Sequence, residues 1–140
     1  MGKKVWLFFK EIFSILLISI LIAVVIKAFI VDSRTVPSAS MYPTIHVGDK
    51  VLINKFIYHF TDIKTGDIIV FSPPDFLDMK SDLIKRVIGT PGDTVEVKRN
   101  DKVYVNGFPL DEPYLSAPPL YDFGPVTVPE GKLLVLGDNR

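Results

Sequence analysis

The sequence has no cysteine, only two histidines and no net charge. Without cysteine there is no disulfide scaffold, no thiolate zinc site and no thiol nucleophile, so burial alone must hold the fold, whatever the redox compartment. Two histidines separated in sequence are a poor basis for a metal centre, and neither a metal nor another cofactor is expected. His46 lies six residues from Ser40 in one loop and His59 follows a lysine-to-tyrosine run among aromatics, which is a weak basis for a Ser-His-Asp triad. The 16 Lys and Arg balance 16 Asp and Glu, which argues against a nucleic-acid partner. Internal repeats and low-complexity tracts are missing too, and 140 residues leave room for one domain and little else.

The neutral total conceals a division. Residues 1–31 carry Lys3, Lys4, Lys10 and Lys27 against Glu11, a net +3, so residues 32–140 carry 12 basic and 15 acidic side chains, a net −3. The mean hydropathy of +0.31 comes largely from one segment, 12–31, interrupted only by Ser14, Ser19 and Lys27. As a helix these 20 residues, at about 1.5 Å each, span the roughly 30 Å hydrocarbon core of a bilayer. Lys27 stands about one turn from the far end, where its stem can carry the ammonium to the interface. The rest of the chain is too small to cover a helix apolar on every side, which excludes a buried core helix. No Ala-x-Ala follows the apolar run, so the segment reads as an uncleaved signal anchor rather than a cleaved leader. The lysines before it mark the cytoplasmic flank. The expected layout is a cytoplasmic tail at 1–11, a single-pass span at 12–31 and an extracytoplasmic β-rich domain at 32–140, all at the cell membrane.

Helical periodicity stops after Val31. Short β-rich runs at 51–58, 67–72, 83–90, 94–98, 102–105, 126–128 and 132–136, punctuated by turn residues, predict an all-β domain. Asn100-Asp101 and Asn106-Gly107 are hairpin signals, the second strong because a type I′ turn needs positive φ at both central positions. Residues 94–110 therefore read as a meander. Pro73-Pro74 and Pro118-Pro119 belong in loops, because proline donates nothing to a ladder.

Three clusters could carry chemistry. The first, Val36-Pro37-Ser38-Ala39-Ser40-Met41-Tyr42-Pro43-Thr44-Ile45 followed by Gly48-Asp49, has small residues between two prolines, suited to presenting a serine nucleophile. Nine steps from Val31, at about 3.3–3.6 Å each, keep Ser40 within roughly 30 Å of the apolar segment's end. Its alternative is a Ser/Pro linker. The second, Leu83-Ile84-Lys85-Arg86-Val87-Ile88-Gly89-Thr90-Pro91-Gly92-Asp93, is an apolar strand with adjacent cations that period-two alternation sends to opposite faces. Burial can depress a lysine pKa until the amine is a base near neutrality, whereas arginine stays charged, so Lys85 is the candidate base. Its alternative is an edge strand whose charges discourage aggregation. The third, Leu136-Gly137-Asp138-Asn139-Arg140, reads equally well as a turn closing the last strand.

In this order, an apolar anchor, Pro-Ser-Ala-Ser-Met-Tyr-Pro-Thr with Gly-Asp, Lys-Arg-Val-Ile-Gly-x-Pro-Gly-Asp, then Gly-Asp-Asn-Arg, the chain resembles bacterial type I signal peptidases over residues 10–140. The resemblance implies an all-β catalytic domain around an extended, coiled, barrel-like sheet behind one transmembrane helix. It implies Ser40 as nucleophile, Lys85 as general base, and Ser38 beside the Ser40 N–H as the oxyanion hole. Arg86, Asp138 and Arg140 would be structural residues near the site. The partners implied are the lipid bilayer, the vicinity of the secretion translocon, and secretory preproteins with small residues at −1 and −3. Ala39 stands where the family often has glycine. The family pattern usually continues past Gly-Asp-Asn-Arg to a further serine and an Asp-Ser-Arg segment, so a C-terminally truncated chain is expected. The alternative function is accordingly an inactive paralogue or fragment that at most binds as a membrane-anchored protein. A self-cleaving repressor shares Ser-Lys chemistry, but the anchor and the lack of a DNA-binding helical segment count against it.

Overall fold

The computed structural model describes residues 2–74 and 81–140, so Met1 of the expected tail lies outside the described residues. The chain divides into two compact units, 1–34 with 52–61, and 35–51 with 62–140.

The first unit is dominated by α1 (Gly2–Phe29), whose large apolar side chains, among them Trp6, Phe13 and Leu21, are exposed around the whole circumference. A helix without a polar face is suited to lipid, and Val5–Phe29 is long and apolar enough to cross a membrane. The helix begins before the apolar run and ends earlier than Val31, because Val31 already opens strand β1 (Val31–Thr35). Strand β1 pairs with β2 (Lys50–Asn54) in a two-stranded sheet. Lys55 then closes the helix: its N–H donates to the Ile30 carbonyl at 2.9 Å and its Nζ to the Ala28 carbonyl at 2.9 Å. The Ala28 oxygen belongs to the last turn, where no intrahelical donor is left, and Ile30 follows directly after the helix. The strand expected to reach residue 58 stops at Asn54, whose side-chain oxygen accepts the N–H groups of Phe56 and Ile57 and starts a 3-10 turn at Ile57–His59.

The second unit contains two antiparallel sheets. One has the order β3 (Ile68–Phe71), β4 (Leu83–Gly89), β9 (Leu134–Leu136), and the other has the order β7 (Phe108–Pro109), β6 (Val103–Val105), β5 (Thr94–Val97), β8 (Phe123–Thr127). An all-β domain preceded by one helix is therefore observed, and residues 94–110 form the expected meander. Asn106 and Gly107 have φ of 54° and 82°, the left-handed pair that a tight hairpin demands. The Asn106 amide adds a lock, accepting from the Thr94 N–H and donating to Asp93 at 2.8 Å each. Strand β7 falls outside the expected runs. It pairs Pro109 with Tyr104 at a sheet edge, where the missing proline donor leaves no ladder bond unmade. Pro125 likewise sits in the other edge strand, β8, which begins three residues before the expected run.

Two apolar clusters hold this unit. Ile88, Val95, Val97, Val103 and Val128 are buried together, with Leu134 and Leu136 packed against them. Ile88 belongs to the first sheet and Val95, Val97 and Val103 to the second, so this cluster joins the two. The smaller cluster is Val36, Met41 and Ile84. Ile88→Ala is expected to cost about 2–5 kcal/mol through lost burial and the cavity left behind. The urea midpoint of the full chain in detergent measures it, and a change below about 0.5 kcal/mol would contradict this packing, since only surface substitutions are that mild.

Candidate functional site

The serine-proline segment is folded into the domain and is not a free linker. Val36 and Met41 are buried at 3% and 1% exposure, and backbone bonds tie Val36 to Asp49 and Gly48. With those two anchors fixed, the residues between cannot drift. Ser38 is extended (φ −138°, ψ 158°), and the chain then tightens into a 3-10 turn at Ala39–Met41 that carries Ser40. The Ser38 hydroxyl approaches Ser40 Oγ at 3.4 Å, a long hydrogen bond.

Strand β4 supplies the cations. It is the central strand of its sheet, hydrogen-bonded to β3 on one side and β9 on the other, which overturns the edge-strand alternative. Alternation along β4 sends Lys85 and Arg86 to opposite faces. Lys85 and both serines line one groove of about 400 Å³, whose remaining walls include Val36, Met41, Leu83 and Ile84. A concave, mostly apolar cleft of this size with a few polar groups is the usual form of a ligand site. Among the described residues Lys85 makes no hydrogen bond or ion pair. Burial pushes its pKa below the ordinary lysine value, and the charge of Asp138 opposes this only in part.

Arg86 is held very differently. Its Nε donates to Asp138 Oδ1 at 2.9 Å, one terminal nitrogen to Asp138 Oδ2 at 2.7 Å, and the other to the Gly66 carbonyl at 2.9 Å. The hydrogen bond to Asp138 raises its pKa further. Asp138 is 1% exposed and also accepts the Thr44 hydroxyl at 2.5 Å. It is more than a turn residue, because it links the Ser40 loop, β4 and the chain after β9. The residues on either side of it reach the serine directly. The Asn139 N–H donates to the Ser40 carbonyl at 3.1 Å, and its side-chain amide to the Ala39 carbonyl at 3.2 Å. Gly137 passes so close that a Cβ there would overlap the Ser40 carbonyl oxygen and stand 3.4 Å from Lys85 Nζ. The segments bearing Ser40 and Lys85 therefore converge on one glycine.

Arg140 lies in the same region, donating through Nε to the Gly137 carbonyl at 2.6 Å and pairing with Glu112 at 2.5 Å. Glu112 and Tyr114, which escaped sequence reasoning, complete this network, with the Tyr114 ring 3.8 Å beneath the Arg86 guanidinium. A lone Asp-Glu-Pro-Tyr run has no periodicity or spacing that announces such a role. His46 faces Tyr42 edge-on at 5.2 Å and bonds locally with Asp49, and His59 packs on Phe56, so no histidine joins the groove. Among the described residues no group of three His, Asp or Glu side chains could hold a metal ion.

The chain thus combines an apolar N-terminal helix, an antiparallel β domain and a groove that brings two serines and Lys85 together. Residues 9–140 match the family model described as signal peptidase, peptidase S26, and the chain belongs to that family. It is 43% identical to a probable signal peptidase I-2 of Synechocystis sp., over 99% of this chain and 63% of that relative. It is 44% identical to a signal peptidase I of Leptolyngbya laminosa, over 88% of this chain and 63% of the relative. With a signal peptidase I T of Bacillus subtilis the identity is 40%, over 89% of this chain and 68% of the relative. The chain thus spans less than two thirds of the length of the first two of these curated relatives.

Asp138→Ala leaves the Arg86 guanidinium without its counter-ion, and Arg86 is only 12% exposed in its side chain. The expected loss is about 3–5 kcal/mol, the range for a broken buried pair. Chemical denaturation of the purified variant measures it; a loss under about 1 kcal/mol, typical of an exposed pair, would show that the contact does not hold this region.

Proposed function

We propose that the chain is a membrane-bound serine endopeptidase that removes signal peptides from secreted preproteins through a Ser40–Lys85 dyad. The observation that carries the reading is the shared groove: Ser38, Ser40 and a partly desolvated Lys85 line one largely apolar cleft. The names of the family and of its relatives support the reaction class.

A serine hydroxyl is a weak nucleophile until a base removes its proton, and an amine with a depressed pKa can do so without histidine. In this reading Ser40 Oγ attacks the scissile carbonyl carbon while Lys85 Nζ takes the hydroxyl proton. The tetrahedral oxyanion is held by the Ser40 N–H and the Ser38 hydroxyl, donors that act when charge develops on oxygen. Lys85 then returns the proton to the leaving amine, producing the free mature N-terminus and an ester on Ser40. A water deprotonated by Lys85 hydrolyses the ester, releasing the signal peptide and restoring the serine. Arg86, Asp138 and Arg140 do not touch the substrate in this scheme; they fix the backbone on which the dyad depends. Small side chains at −1 and −3 of the preprotein would enter the cleft. The N-terminus would be cytoplasmic, with 1–11 as tail, 12–31 as span and 32–140 outside, near the translocon.

Lys85 must be neutral to act. Because burial places its pKa below the ordinary lysine value, the neutral fraction at a given pH below that value is raised, and it grows as pH increases. The logarithm of kcat/KM is therefore expected to climb with pH on the acid side and to level off above the Lys85 pKa. The test incubates the full chain, in detergent, with a preprotein. Ser40→Ala and Lys85→Ala should fall to background, and Ser38→Ala should lose about 10²–10³ in rate, the usual effect of removing one oxyanion donor. Cleavage that persists in Ser40→Ala would overturn the dyad. A wild-type chain with no turnover would leave the inactive, binding-only alternative.

A further inference from the structure

We propose that Glu112 and Tyr114, which lie outside every motif discussed above, are positioning residues for the Ser40–Lys85 pair, acting by clamping Arg86 against Asp138 and Arg140 against Gly137. The proposal rests on the dyad reading above. Its geometry is a closed ring of contacts. The Arg86 guanidinium carbon stands 3.8 Å above the Tyr114 ring centroid, so the ring forms a floor for the cation while Asp138 grips its edge. The Tyr114 hydroxyl donates to Glu112 Oε1 at 2.7 Å, and burial with this bond raises the phenol pKa, keeping the hydroxyl protonated as a donor. The same carboxylate oxygen accepts from Arg140 at 2.5 Å. Arg140 returns to the main chain through its Nε bond to the Gly137 carbonyl. The Arg140 and Glu112 side chains are 1% and 5% exposed, and buried charge of this kind holds only with all partners in place.

The ring's one covalent side is Gly137–Asp138, the place where the Ser40 carbonyl and Lys85 Nζ meet. Around Lys85 stand Asp138, Ser81 and Asp82 in the groove wall before β4, and Ser38 and Ser40; from β3 the residue opposite is Ile69. Of these only Asp138 is tied to the ring. If the Tyr114 floor is removed, water reaches the guanidinium and its bonds to Asp138 are weakened. The carboxylate then acts on Lys85 with less compensation, and water gains access beside the amine. Both changes favour the ammonium and work against the base.

The test reads Lys85 without requiring turnover: competitive acetylation of the full chain in detergent across a pH series, with the Lys85 peptide quantified by mass spectrometry. Tyr114→Leu is expected to move the midpoint of Lys85 labelling upward by about one pH unit, the low end for a carboxylate gaining influence over a nearby cation. Tyr114→Phe keeps the floor but loses the bond to Glu112, and is expected to shift the midpoint less than Tyr114→Leu does; an equal shift would overturn the role given to the floor. An unchanged midpoint in folded Tyr114→Leu overturns the proposal, because a merely structural tyrosine would lower stability without moving Lys85. Should Tyr114→Leu not fold, Tyr114→Met, which also removes the aromatic floor, takes its place under the same criterion. Where the chain cleaves preprotein, the acid limb of kcat/KM should move by the same amount with KM unchanged. Absence of Ser40-dependent cleavage would sink the peptidase reading, whereas the labelling midpoint still decides whether the ring governs Lys85.

Discussion

Everything around the candidate site depends on the contact between Arg86 and Asp138. Two charges withdrawn from water are worth retaining only when each lone pair and each proton finds a partner. Here the carboxylate takes two bonds from one guanidinium and a third from Thr44, while the guanidinium gives its remaining group to the Gly66 carbonyl. The pair thereby draws together a loop from the first third of the unit, its central strand and the chain after β9. Ser40 is placed by the first and third of these, and Lys85 by the second.

The same strand solves a problem of charge. Two basic side chains, Lys85 and Arg86, sit at consecutive positions, and a flexible segment would let both compete for Asp138. Pleating separates them: Arg86 takes the carboxylate, and Lys85 is left on the groove side with burial as the dominant influence. One amine is thus kept easy to deprotonate within a residue of a guanidinium that never is. Gly137 allows this closeness, because its missing side chain lets two backbones and an ammonium share one point.

Much of this architecture is legible in the residues. The unbroken apolar run marks the helix, the alternation through β4 and β5 marks the central strands, and Asn106-Gly107 fixes a turn through a conformational demand that few residue pairs meet. The serine loop and the Lys-Arg strand are visible because each is a local pattern. What escapes is what depends on distant partners. Strand β1 follows immediately on an apolar helix and has no breaker to announce it, and β7 is two residues long with a proline in it. The expected strand overruns the end of β2 because isoleucine and aromatics continue to favour a strand, while the Asn54 side chain captures the next amides. Glu112 and Tyr114 gain their meaning from Arg86 and Arg140, more than 20 residues away on each side, and no local pattern could reveal that.

The Lys55 cap has a consequence for hydration. Carbonyls at the end of an apolar helix ordinarily need water, which ties the helix terminus to the wet side of any interface. Lys55 supplies an amide to one of these oxygens and an ammonium to another. Two oxygens at the helix end are thereby satisfied by the chain itself, and fewer groups there call for water.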